Sequence, residues 1–401
     1  MIFRQISVTA ILIICAAVPD LRAQYRSPWE VPLGKMFYLQ REKLFEQRVP
    51  HGVFVAGVPT NSQAEKVGLE YMDLVTAIGD MEVSDTDSYA KARIFFARTQ
   101  QPTTITLWRL GKQIKLPAVI TSPFGAVLRE YTYELDQIIA RIEKGDLETA
   151  GNITERAEIR KLLNRKNLLI AKLLVSPDVP LGASSYRKEL AVELRTILRP
   201  GWDLIDIWSK FQDCRQYNVA AFILETYVAA NPDEMVHSLS LGLTLARLKH
   251  NADADTLADR FLERTIDGKP HPYVAYHGNL IRSLTAENRG NWAQSWMHHQ
   301  LAVTTAPNRI NDDVMRALYL AAKLKDRNKF EIARALANRF GNDEVRPYLD
   351  SLDAYISASN GQQNVGRQLV AKWKNKPEIL TVLKHWLSEF PEVVRTWERL
   401  R

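Results

Sequence analysis

Tyr217-Asn-Val-Ala-Ala-Phe-Ile-Leu-Glu-Thr-Tyr-Val-Ala-Ala-Asn-Pro232 reads as a helix with one small residue at a marked place and a proline at its end. Ala220 is that small residue, and Pro232 follows it by 12 positions. The arrangement recurs downstream. Small residues stand at Ala220, Ala258, Ser295, Ala333 and Gly366, in steps of 38, 37, 38 and 33. Pro270 and Pro307 again follow by 12, and Pro377 follows Gly366 by 11. Ala246, Ser283, Ala321 and Ala354 stand 12 residues before the last four small positions. Two small residues 12 apart predict two helices whose backbones approach closely. A repeat of this length predicts stacked helix–turn–helix units. The proline is expected to stop the second helix of each unit, because it lacks an N–H and clashes with the preceding turn.

This pattern resembles the tetratricopeptide repeat family, with 217–232 its clearest second helix and Asn291-Trp292 through Pro307 the next. The large aromatic expected early in each first helix is mostly missing, as at Gly242 and Ala317. The resemblance covers 201–401 and implies an all-α helical repeat solenoid that holds a partner protein. Upstream, 127–200 shows helical spacing with a loop over Pro177–Gly182, and is expected to be an all-helical connector.

Before Ile120 the pattern is different. Gly52-Val-Phe-Val-Ala-Gly-Val58 reads as a strand rich in β-branched residues. Asn61-Ser-Gln-Ala64 opens a short helix and Gly68 closes it; Asp73–Ile78 is a second strand, followed by a turn at Gly79-Asp80 and a continuation over Met81–Val83. Ser88–Arg98 has helical spacing, and Thr103–Arg109 and Gln113–Ile120 are strands joined at Leu110-Gly111-Lys112. These elements predict a small mixed α/β barrel with two helices.

Their order resembles a bacterial PDZ domain of the envelope-protease type, spanning about residues 30–122. The likeness is carried by Gly-Val-Phe-Val, Asn-Ser-Gln-Ala-Glu-Lys-Val-Gly-Leu, Asp-Leu-Val-Thr-Ala-Ile-Gly and Trp-Arg-Leu-Gly-Lys. Tyr71-Met72-Asp73 departs from it, since the family usually has Gly before the Asp. The resemblance implies a groove in which an extended or C-terminal peptide adds as a strand, its carboxylate held by a glycine loop. Pro32-Leu33-Gly34-Lys35 fits such a loop, and Met36-Phe37-Tyr38-Leu39 the strand after it. Tyr89, Ala92 and Phe96 are the expected contributions of the groove's helix.

The first 23 residues read as a secretory signal: Arg4, an apolar run from Ile6 to Val18, then Leu21-Arg22-Ala23 before a cut at Gln24. Export to the periplasm or outside the cell follows. Membrane contact is expected only where this segment stays uncleaved or Cys15 carries a lipid. Cleavage leaves one cysteine, Cys214, so packing rather than a disulfide must hold the fold.

With 401 residues, the chain is long enough for two or three domains. Its net charge of +7 is dispersed, which argues against a nucleic-acid partner. No Gly-x-Ser-x-Gly or His-Glu-x-x-His occurs. Ser88-Tyr-Ala-Lys91 and Ser185-Tyr-Arg-Lys188 match Ser-x-x-Lys by a pattern short enough to arise by chance. Neither His298-His299 nor His271 with His277 has metal-ligand spacing. The sequence thus predicts no catalysis, no cofactor, no metal and no small-molecule substrate. Its expected partners are proteins or peptides. The role is that of an exported adaptor, or alternatively of a structural scaffold subunit with Trp292, Trp296, Trp373 and Trp386 as interface anchors.

Overall fold

A computed structural model describes residues 33–59, 61–121, 124–198, 202–263, 265–266, 269–270, 272–305, 310–340, 345–373 and 390–401. The chain divides into two units, one ending at Tyr131 and the other running from Thr132 to Arg401 with Arg48–Pro50 added.

The first unit follows the strand signals closely. Its elements are α1 (Leu33–Glu46), β1 (His51–Gly57), α2 (Gln63–Val67), β2 (Leu74–Ile78), β3 (Met81–Glu82), α3 (Thr86–Thr99), β4 (Pro102–Arg109), β5 (Lys112–Val119) and β6 (Val127–Thr132). Ser62 caps α2 by accepting from the Glu65 N–H, and Gly68 ends that helix in the left-handed region at φ 91°. The β4–β5 hairpin turns on Leu110 and Gly111, both at positive φ, which matches the twist of the flanking strands. Val53, Val55, Val75, Ile78, Ile105 and Leu107 form the core with Phe96 and Phe124.

Two expectations are corrected here. The strands do not close into a barrel: they form an open sheet in the order β5-β4-β2-β1-β6, with β3 paired to β2. Residues 127–132, expected to begin the helical connector, are instead the strand β6 on the outer side of β1. Val127, Tyr131 and Thr132 are strand formers, and the added strand gives β1 a second hydrogen-bonded neighbour.

At the departure Tyr71-Met72-Asp73 the turn keeps the geometry a glycine would supply. Met72 sits at φ 69° with its side chain buried. Asp73, fully buried, explains why the turn is held. Arg109 donates from Nε to Asp73 Oδ1 at 2.7 Å and from Nη2 to Oδ2 at 2.8 Å, and also reaches Glu70 and the Gly68 carbonyl. This bidentate fork closes the turn onto β4.

The second unit is an array of helix pairs: α4 (Tyr133–Glu143) with α5 (Leu147–Ile159), α6 (Arg165–Val175) with α7 (Ser185–Ile197), α8 (Trp202–Asp213) with α9 (Tyr217–Ala230), and α10 (Met235–Arg247) with α11 (Asn251–Leu262). A short ladder of β7 (Thr265–Ile266) and β8 (Lys269–Pro270) follows. Then come α12 (Pro272–Asn288) with α13 (Trp292–Thr305), α14 (Ile310–Leu324) with α15 (Arg327–Phe340), α16 (Val345–Ser359) with α17 (Gln363–Ala371), and a last helix α18 (Pro391–Leu400).

The small residues stand where the partners of a pair meet. Ala246, Ala258, Ser283, Ser295, Ala321, Ala333, Ala354 and Gly366 are all buried. Ser283 Oγ donates to the Ser295 carbonyl at 2.9 Å. A Cβ placed on Gly366 would lie 3.2 Å from the Ala354 carbonyl oxygen and 2.9 Å from Leu400 Cδ1. Gly242 accounts for one missing aromatic: Ile281 from α12 fills that space, and a Cβ there would come within 2.9 Å of its Cδ1. The prolines divide. Pro232 follows the end of α9 at Ala230, as expected. Pro270 does not stop a helix, because α11 has already ended at Leu262 and Pro270 belongs to β8. Pro307 and Pro377 lie outside the described residues.

The array begins before residue 201. One apolar cluster runs from Leu135 through Leu174, Leu194 and Phe211 to Leu284, so the four helices between 133 and 197 share the core of those that follow. A second cluster runs from Trp296 to Leu400. Arg187 binds the early helices to the later ones. Its side chain, 2% exposed, donates to Ser176 Oγ, the Val179 carbonyl, Asp178 Oδ1 and Gln216 Oε1. Asp178 in turn accepts from the N–H groups of Tyr217 and Asn218, at the start of α9.

Candidate functional site

The six residues expected to form the anion loop and strand, Leu33, Gly34, Lys35, Met36, Phe37 and Tyr38, all lie in the helix α1. That placement is corrected: no turn occurs at Gly34 and no strand at Met36–Leu39. The run from Lys35 to Glu46 is rich in Lys, Met, Leu, Gln, Arg and Glu and has no β-branched residue, which favours helix. Its later half packs on the end of the β4–β5 hairpin. Gln40 Nε2 donates to the Trp108 carbonyl at 2.9 Å, and Gln47 Nε2 donates to the Gly111 carbonyl at 2.6 Å.

Tyr89, Ala92 and Phe96 are on α3 as expected, but their side chains point into the core, where all three are buried. Burial pushes the Tyr89 phenol well above its ordinary range, and the positive charge of Arg93 only partly offsets this. These residues belong to the core of the unit and not to its surface. The half-buried stripe of α3 is a different one: Thr86, Ala90, Arg93 and Ala97.

That stripe has a counterpart. β6 is one outer strand of the sheet, and Thr86 Oγ1 donates to Glu130 Oε1 at 3.0 Å, which brings the start of α3 beside β6. Ala97 from α3 and Ala126 and Leu128 from the β6 side are each partly exposed apolar groups resting on the same core. The segment entering β6 is anchored at its start. Gln63 Oε1 accepts from the Thr121 N–H at 2.7 Å and from Thr121 Oγ1 at 2.9 Å. The Phe124 carbonyl accepts from the Ala64 N–H at 3.0 Å, and the Phe124 ring is buried. Gly125, exposed, then takes φ 86°, and a Cβ on it would stand 3.0 Å from Ser62 Cβ. A glycine at positive φ can take part in a nest of successive N–H groups, an arrangement that favours an anion. Phe124, Gly125, Ala126 and Leu128 were not singled out from the sequence. The available signal was a glycine between apolar residues just ahead of the strand-forming run Val127–Thr132.

Elsewhere the marked residues have local structural roles. Ser88 belongs to the capping box of α3: its N–H donates to Asp85 Oδ1 at 2.7 Å and its hydroxyl accepts from the Asp85 N–H at 3.0 Å. His299 is buried and bonded through Nε2 to the Asp313 carbonyl, whereas His298 pairs with Asn279, so the adjacent histidines face different neighbours. His277 meets the Tyr273 ring at a tilt and the Tyr276 ring edge-on; His271 lies outside the described residues. Cys214 is buried in the array. Trp296 is part of the core, and Trp373 donates from Nε1 to Asp350 at 3.0 Å. Trp386 lies outside the described residues. Among the described residues, no group of three or more His, Cys, Asp and Glu is placed to hold a metal ion. In the array, Thr244 on α10 accepts from Trp208 Nε1 at 2.8 Å and from Gln212 Nε2 at 2.7 Å, so this face of α10 is closed by α8.

No family model matches the chain, and no curated protein does. Among solved structures, a tetratricopeptide repeat protein from Parabacteroides merdae ATCC 43184 is similar to it at 15% identity, over 63% of this chain and 97% of that one, with a TM-score of 0.36. The description of the second unit as stacked helix pairs rests on its own packing.

Proposed function

We propose that the chain is an exported, non-catalytic protein-binding adaptor. Its first unit acts as a PDZ-like module that takes an extended, C-terminal peptide as an added strand, and its helix array holds a second protein in the manner of tetratricopeptide repeats. The observation that carries the peptide reading is the edge strand β6, entered through the positive-φ Gly125 and joined to the start of α3 by the Thr86–Glu130 hydrogen bond. Strand addition needs a sheet edge, a pocket for the last side chain and N–H groups for the carboxylate. The Phe124-Gly125-Ala126 entry is the part of this unit suited to the carboxylate. Ala97 and Leu128 are suited to an apolar terminal side chain. The N-terminal apolar run from Ile6 to Val18 supports export.

The test is a fluorescence-anisotropy titration of the full chain with a pool of peptides bearing free C-termini. The same peptides amidated at the C-terminus serve as controls. Saturable binding that amidation weakens supports the reading. Equal binding of free and amidated peptides would remove the carboxylate role, and no binding of either would remove the groove.

A further inference from the structure

The turn between α5 and α6 presents two aliphatic side chains to solvent. Ile159, the last residue of α5, is 73% exposed, and Leu162 is 42% exposed. The anchoring of the turn is done by Ala157 and Leu163, which are buried in the array's core. Arg160 and Lys161 separate the two aliphatics, and Lys161 takes φ 54°, so the chain reverses at this point.

The surroundings are basic. Between 155 and 166 stand Arg156, Arg160, Lys161, Arg165 and Lys166 against Glu155 and Glu158. Glu158 is paired with Lys172, and Arg165 with Glu193. Arg156, Arg160 and Lys161 are in no ion pair among the described residues. Cations at the end of α5 are favoured by the helix dipole, which accounts for the charges by themselves. It does not account for the two aliphatics held out between them.

We propose that this turn is a contact site for an anionic lipid surface, with Ile159 and Leu162 entering the headgroup region and Arg156, Arg160 and Lys161 meeting lipid phosphates. The shape favours lipid over a protein partner. A protein interface of ordinary stability covers about 800 Å² on each side and needs matched relief. Two aliphatic tips on a reversing turn need no pocket to enter a headgroup layer. Basic residues near an anionic surface each contribute about 1 kcal/mol, about a fivefold change in partition.

The test uses the mature chain from Gln24 with Cys214→Ala, carrying Ile159→Cys labelled with an environment-sensitive fluorophore. It is mixed with vesicles of phosphatidylcholine alone or with 30% phosphatidylglycerol. The label's emission is expected to shift to the blue only with the anionic vesicles, and the shift should vanish at high salt. In the same labelled chain, Arg160→Gln with Lys161→Gln should weaken this response about 25-fold. An unlabelled pair, parent and Leu162→Asn, compared by vesicle flotation, should show loss in the variant. An unchanged emission while the chain floats with the vesicles would overturn the proposal, because another segment would then be the anchor. A blue shift equal on neutral and anionic vesicles would overturn the role of the basic residues.

Discussion

Replacing Arg187 by Met tests whether the helices before residue 200 belong to one array with those after it. The Arg187 guanidinium is almost wholly buried and joins four partners from the 176–179 loop and Gln216. Methionine fills much of the same volume but donates nothing. Asp178 retains the two N–H donors of Tyr217 and Asn218, so it is not stripped bare. Gln216 Oε1 and the Val179 carbonyl each lose their charged donor. Breaking one side of a buried charge pair costs about 3–5 kcal/mol. The donors left on Asp178 place the expected loss at the lower end, about 3 kcal/mol. Arg187→Lys should fall between, since an ammonium cannot reach all four acceptors at once. Guanidinium denaturation followed by circular dichroism measures the difference. Hydrogen exchange should show faster opening of both α7 and the start of α9, because both are bound through this side chain. A loss below about 1 kcal/mol, or exchange changes confined to α7, would refute the reasoning.

Four further outcomes follow from particular sites. Gly366→Leu should destabilise the end of the array by about 2 kcal/mol or more, since even its Cβ crowds Ala354 and Leu400; thermal unfolding measures it. Met72→Gly relieves a left-handed conformation worth about 1–2 kcal/mol but gives up a buried side chain worth about 1.5–3 kcal/mol and adds chain entropy, so a net loss of about 1 kcal/mol is expected in denaturant titration. Burial, with Arg316 adding to it, holds His299 down to about 3, so the folded chain binds fewer protons there than the unfolded chain. Stability should therefore fall as pH drops below about 6.5, by up to about 1.4 kcal/mol per unit, and level off near the folded value; His299→Gln should flatten that dependence in pH-resolved melts. Gly125→Val should weaken peptide binding by at least about tenfold while leaving the helical circular dichroism of the array intact, because a β-branched residue resists this φ and its Cβ meets Ser62.

What was readable in the sequence depended on how local the cause was. The β1, β2, β4 and β5 strands and their turns were legible because β-branched runs and glycines specify them within a few residues. The small positions from Ala246 to Gly366 were legible because close backbone approach excludes any larger side chain. The helix α1 was misread, since Met36, Phe37 and Tyr38 look like a strand until the helix formers from Leu39 to Glu46 are weighed with them. β6 was missed for the opposite reason: it runs directly into α4, with Thr132 at the cap and no turn residue between. Its pairing with β1 is a contact across about 70 residues of chain, which no local pattern reveals. The candidate site accordingly lies at Gly125 and not at Gly34. The direction of Tyr89, Ala92 and Phe96 also needed the sheet in place, since a helix stripe alone does not say which side is core.

Hydrogen exchange on the full chain with and without its best free-carboxylate peptide is the most direct test of the adaptor reading. The account predicts slower exchange in Gly125–Thr132 and along α3, with the amides from α4 onward unchanged. Protection centred on Leu33–Tyr38, or on the array with β6 unaffected, would contradict it.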